Sequence, residues 1–114
     1  KYDDGLRKID GIEPLKIPLG IRSNYYKYIS FLDPEINRNE LKERLNKRGV
    51  NLSGEVYDPP CHLQPLYKRL FGFKGGEYPN AEEIAKRHVC LPIYSQMTDE
   101  EVQYVLESLK EALS

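Results

Sequence analysis

The chain has 114 residues, enough for one domain that buries its own core without disulfides or metal staples. Its 17 basic and 18 acidic side chains nearly cancel, which leaves no broad electrostatic footprint for nucleic acid or an anionic membrane. No apolar run approaches the ~20 residues of a spanning helix, and no signal-peptide pattern opens the chain. Two cysteines, Cys61 and Cys90, are too few for a disulfide framework, so a cytoplasmic setting is expected.

Lys1 to Ile9 reads as the tail of a helix that began earlier, because it is polar and carries no N-cap signal. Glu13 to Gly20, with Pro14 and Pro18, reads as an irregular link, so residues 1–20 are expected to join domains and 21–114 to form one. Asn24 to Leu32 is rich in Tyr, Ile and Phe and predicts a strand, ended by Asp33-Pro34. Within it Tyr26 and Tyr28 share a face expected toward the core, and Tyr25 is left for an interface or a site. Asn37 with Glu40 predicts a capping box, Leu41 and Leu45 an apolar stripe, and Gly49 the stop of that helix.

Val50, Leu52 and Val56 fall on alternate positions and predict a second strand, interrupted at Gly54. A short helix is expected from about Leu63 to Leu70, then a loop around Gly72, Gly75 and Gly76. Asn80 with Glu83 predicts another capping box, and Ala81, Ile84, Ala85 and His88 keep helical spacing. Val89 to Ile93 is a third strand candidate. Thr98 with Glu101 caps the clearest amphipathic helix, whose stripe is Val102, Val105, Leu106, Leu109 and Leu113. Three short strands with helices between them predict an α/β (α+β) two-layer sandwich, helices packed on one small sheet.

The densest chemistry lies in Tyr57-Asp58-Pro59-Pro60-Cys61-His62-Leu63-Gln64-Pro65-Leu66-Tyr67. Prolines fix the backbone on both sides of His62, so its imidazole is expected at a rigid junction, partly open to solvent and able to hydrogen-bond a ligand. A turn-satisfying role for the same histidine is the plainer alternative. Cys61-His62 and His88-Val89-Cys90 do not have the spacing of a zinc knuckle, and no metal site is expected. Lys74-Gly75-Gly76 is too short for a phosphate loop, and Glu82 and Glu83 fit a helix N-terminus better than acid–base catalysis.

YDPPCHLQPLY followed by LPIYSQMTDEEVQYVLESL resembles the C-terminal portion of the DegT/StrS-type sugar aminotransferases. RSNYYKYISFLD and ELKERLNKRGVNLSG match the same family in the same order. The resemblance implies the small domain of a fold-type I aminotransferase, with a mostly antiparallel three-stranded sheet. It also implies a separate N-terminal domain that binds pyridoxal phosphate through a Schiff-base lysine, a nucleotide-linked keto sugar as substrate, glutamate as donor, and a homodimer. None of the lysines here sits in that lysine's family context, so these residues alone are expected to be inactive and to hold no cofactor. His62 matches the histidine of the His-x-x-Pro signature and is expected to bind substrate, with Tyr25 as a second contact. Tyr26 stands where relatives often carry histidine. A sugar dehydratase of the same family and a non-enzymatic binding module are the alternatives. Separated from a large partner, the chain is expected to expose an apolar patch at Leu6, Ile9 and the Tyr25 face.

Overall fold

The computed structural model describes residues 1–114. Five helices and three strands follow one another as α1 (Tyr2–Leu6), β1 (Ile12–Pro14), β2 (Tyr28–Leu32), α2 (Arg38–Asn46), α3 (Pro65–Phe71), α4 (Pro79–Arg87), β3 (His88–Leu91) and α5 (Asp99–Leu113). A single 3₁₀ turn, Cys61–Leu63, precedes α3. The sheet is antiparallel throughout, in the order β1-β2-β3, with Ile12 opposite Leu32 and Tyr28 opposite Leu91. This is the α+β architecture that the helix and strand patterns predicted.

The register puts Tyr28, Ser30 and Leu32 of β2 on one face with Val89 and Leu91 of β3. That face meets α1, α2 and α5 in one core that includes Leu6, Leu41, Leu45 and Leu109, all nearly or fully buried. Asn37 caps α2 by accepting from the Asn39 and Glu40 amides at 2.9 and 3.3 Å. Thr98 and Glu101 form both halves of the expected capping box on α5. Leu6 and Ile9 also lie in this core, so the patch expected there does not exist. The N-terminal stretch turns its apolar side inward because Gly5 lets α1 lie directly against Leu106 of α5.

Which segments become strands differs from the sequence expectation in two cases. The first strand is Ile12–Pro14, read as linker, and Pro14 fits there because an edge strand can spare one amide. Val50 to Val56 forms only a bridge between Ser53 and Cys90. It fails to become a strand because side chains take its partners. The Val56 amide donates to His88 Nε2 at 2.7 Å, and Glu55 pairs with Lys42 and Arg38.

The Tyr-rich strand starts later than its composition suggests. Ser23 and Asn24 accept from the Tyr25 and Tyr26 amides at 3.1 Å each, forming a side-chain-closed turn with Tyr25 at φ 48. Tyr28 is buried while Tyr26 is exposed, so the two do not share the core. His88 is the first residue of β3 rather than part of the α4 stripe. Its Nδ1 donates to the Ile84 carbonyl at 2.8 Å, which leaves Nε2 to accept from Val56.

Candidate functional site

The 3₁₀ turn, α3 and α4 wall an open apolar cleft of about 700 Å³, lined among others by Tyr57, Phe71, Phe73, Tyr78 and Ile84. Pro65 at the first position of α3 and Gly72 in the left-handed region past its end bound that helix sharply. Pro79 starts α4 in the same way, one residue before the Asn80 cap expected from the sequence, and no side chain caps the helix.

His62 lies on the cleft wall and is buried, 8% exposed, rather than partly open as expected. Tyr78 and Phe73 meet its ring edge-on at centroid distances of 4.8 and 5.9 Å. Its Nε2 hydrogen-bonds Glu82 Oε1 at 2.8 Å, and the same oxygen accepts from the Gly76 amide at 2.7 Å. Glu77 accepts from the Lys74 and Gly75 amides at 2.7 Å each. The His62 hydrogen bond, followed by the Gly76 amide, holds the Glu82 carboxyl below the usual range. The Lys74 amide does the same for Glu77, with the Gly75 amide adding to it.

One donor atom from each of His62, Glu77 and Glu82 lies within 4.8 Å of the others. The carboxylate oxygens, however, already accept backbone amides, so the cluster serves as a lock that ties the loop before α4 to the 3₁₀ turn. Glu82 lies in the first turn of α4, as its sequence placed it, but its bond to His62 was not foreseen, and Glu77 was missed because its partners are main-chain amides that fold back on it. Only the paired glycines, Gly75 and Gly76, signalled a loop tight enough to present amides.

Tyr25 sits elsewhere. Its ring stacks on Tyr28 at 5.9 Å beside a smaller cavity of about 350 Å³ shared with Ile93 and Met97. His62 and Tyr25 therefore line different cavities. Cys61 is exposed and Cys90 buried, and neither is a partner of a histidine cluster. No helix is long and apolar enough to cross a membrane.

The large cleft does not fit pyridoxal phosphate. Its chemistry needs an amine that can condense with an aldehyde and a cup of donors for the phosphate. No lysine or arginine lines the large cleft. Lys27 is tied to the Gly54 carbonyl and Lys42 to Glu55, and the other lysines are exposed.

Comparison with known proteins gives this arrangement its place. The model of the DegT/DnrJ/EryC1/StrS aminotransferase family matches residues 1–110, and the chain belongs to that family. An uncharacterised protein of Methanocaldococcus jannaschii is 32% identical over 99% of this chain and 30% of its own length. The dTDP-4-dehydro-2,3,6-trideoxy-D-glucose 4-aminotransferase of Saccharopolyspora spinosa is 30% identical over 99% of this chain and 28% of its own. A provisionally named sugar aminotransferase of Streptococcus pneumoniae, solved in its PLP form, superposes with a TM-score of 0.83 at 30% identity, covering 97% of this chain and 28% of that one. The chain thus spans under a third of the length of the relatives it matches.

Proposed function

We propose that this chain is the small C-terminal domain of a pyridoxal-phosphate-dependent sugar aminotransferase. The whole enzyme transfers an amino group, from glutamate, to a nucleotide-linked keto sugar. The observation that carries the reading is the family match over residues 1–110, joined to a similar protein named as a dTDP-sugar aminotransferase. The lack of any lysine in the large cleft supports a division of labour, in which a separate large domain holds the cofactor. Residues 1–20 then lead in from the large domain and add α1 and β1 to the small domain that 21–114 complete, and the enzyme works as a cytoplasmic homodimer.

Tyr25 keeps an exposed ring and is proposed to contact the substrate directly. His62 is proposed to serve the site as a positioning residue, because its ring nitrogen is held by Glu82. The test uses the 114-residue chain and a longer polypeptide that also contains the large domain. The short chain should show no saturable pyridoxal phosphate absorbance and no transamination. The longer one should show both with a dTDP-keto sugar and glutamate. A stoichiometric cofactor band on the short chain, or none on the longer one, overturns the reading.

A further inference from the structure

His62, Glu77 and Glu82 come from three pieces of chain: the 3₁₀ turn, the loop before α4 and the first turn of α4. One donor atom of each lies within 4.8 Å of the others. Two carboxylates therefore stand side by side, yet no lysine or arginine pairs with either. Their charge is met by His62 and by three main-chain amides, Lys74 and Gly75 on Glu77 and Gly76 on Glu82. Amide dipoles soften like-charge repulsion but carry no full charge, so the cluster keeps an excess of negative charge.

The amides that lock the loop leave acceptor sites to spare. A carboxylate offers about four lone-pair sites, and Glu77 uses one on each oxygen, while His62 and Gly76 share Oε1 of Glu82. Amides bonded in this way orient a carboxylate, as the outer partners of metal-bound carboxylates do. The imidazole is fixed as well. It is 8% exposed, Tyr78 and Phe73 meet its ring edge-on, and Pro60 leads into the turn that carries it. A donor atom held by packing loses little freedom when it binds.

We propose that His62, Glu77 and Glu82 bind one divalent cation of the zinc class, which replaces the hydrogen between His62 Nε2 and Glu82 Oε1. The imidazole then coordinates through Nε2 and carries its proton on Nδ1. One oxygen from each glutamate completes three protein ligands, and water fills the remaining position. A nitrogen with two carboxylates suits zinc, cobalt or manganese better than magnesium or calcium, which favour all-oxygen shells. Zinc bonds of about 2.0–2.2 Å set donors roughly 3.4 Å apart in a tetrahedron. His62 and Glu82 stand at 2.8 Å and no separation exceeds 4.8 Å, so shifts of at most about 1.4 Å, within reach of the exposed Glu77 side chain, complete the set. Neither cysteine belongs to it, so the lack of a zinc-knuckle spacing does not bear on this site. Nor does the site depend on the enzymatic reading, since the 114 residues contain all three ligands.

The test uses the 114-residue chain stripped of metal by a chelator, with Co²⁺ and Zn²⁺ as probes. Co²⁺ should bind in one equivalent with a visible absorption band, and Zn²⁺ should displace it. Zn²⁺ at roughly 100 times its Kd should raise Tm by at least about 5 °C, because it binds the folded chain alone. Of the two histidines, only His62 should show a metal-shifted ring nitrogen in NMR, since both nitrogens of His88 are hydrogen-bonded. Glu77→Gln, at an exposed loop position, keeps an oxygen acceptor for one amide and should weaken binding by at least about tenfold, with circular dichroism showing the fold intact. Cys61→Ser, beside His62, should leave the affinity unchanged. Binding that is absent, spread over several weak sites, or unaltered by Glu77→Gln overturns the site. Loss of binding in Cys61→Ser, or a shift at His88, places the cation elsewhere and overturns it equally.

Discussion

His62 Nε2 lies 2.8 Å from Glu82 Oε1, and this bond joins the turn before α3 to the first turn of α4. Through the Gly76 amide on the same oxygen, it also fixes the loop between those helices. His62→Ala is expected to destabilise the chain by roughly 1–3 kcal/mol, as for a buried hydrogen bond left unmade. Thermal unfolding of the 114-residue chain checks it. A variant as stable as the parent would return His62 to the role of a free ligand-binding side chain.

The same pair carries a pH signature. Glu82 titrates below its ordinary 4.5, chiefly because His62 bonds it, and Glu77 does so through the Lys74 amide. A carboxyl whose folded value is depressed contributes stability above its unfolded value and loses it as pH falls through the folded one. Part of the stability is therefore expected to fade below pH 4.5. Glu82→Gln should lower Tm at neutral pH and lower it less in acid. Equal losses at both would place the effect in packing instead.

Gly5 is the residue that lets α1 enter the core. A Cβ there would overlap both Leu106 methyl groups, Cδ1 and Cδ2. Gly5→Ala is expected to cost about 1–3 kcal/mol by overpacking, despite the better helix propensity of alanine. Leu106→Ala in the same chain should recover part of that loss. A double-mutant cycle measures it, and strict additivity would show that the two residues are not in contact.

Where one side chain decides a position, the sequence was readable. The α5 box from Thr98 and Glu101, the Asn37 cap and the Leu41–Leu45 stripe all depend on neighbours a few residues apart. The family motifs were readable for the same reason. What escaped was decided over distance. Whether Val50 to Val56 pairs as a strand depends on His88, 32 residues away from Val56, taking its amide. Ile12–Pro14 becomes a strand only because β2 offers it an edge. In the candidate site, His62 was found from its prolines, but Glu77 and Glu82 bond to amides whose direction no composition reveals.

Two polar substitutions should act in opposite directions. Ser30 Oγ is fully buried in the centre of β2 and has no hydrogen-bond partner. Ser30→Ala removes a hydroxyl that folding strips of water, and stability is expected to hold or to rise by about 1 kcal/mol. Thr98→Ala breaks the capping box of α5 and should cost about 1 kcal/mol. Chemical denaturation of both variants distinguishes the two cases. A loss on Ser30→Ala would mean that the hydroxyl has a partner in solution.

The phenols at the α1–β2 contact set the alkaline limit of the domain. The Tyr2 and Tyr28 rings meet at a tilt of 42°, their centroids 4.8 Å apart inside the core. Tyr2 Oη donates to the Pro92 carbonyl at 2.9 Å, and Tyr28 Oη donates to the Asp3 carboxylate. Burial first, and for Tyr28 the Asp3 bond next, push both hydroxyls above their ordinary 10.0. A group whose folded value is raised gives its full stabilisation below the unfolded value and loses it as pH rises toward the folded one. The chain is therefore expected to hold its stability up to about pH 10 and to unfold steeply beyond it. Tyrosinate absorbance should rise in two phases. Tyr2 and Tyr28 should ionise only as the helical signal is lost. Tyr28→Phe should cost about 1 kcal/mol at neutral pH through the lost hydrogen bond, and should flatten the alkaline decline. Smooth ionisation of all nine tyrosines with the fold intact would show that these two rings are open to water.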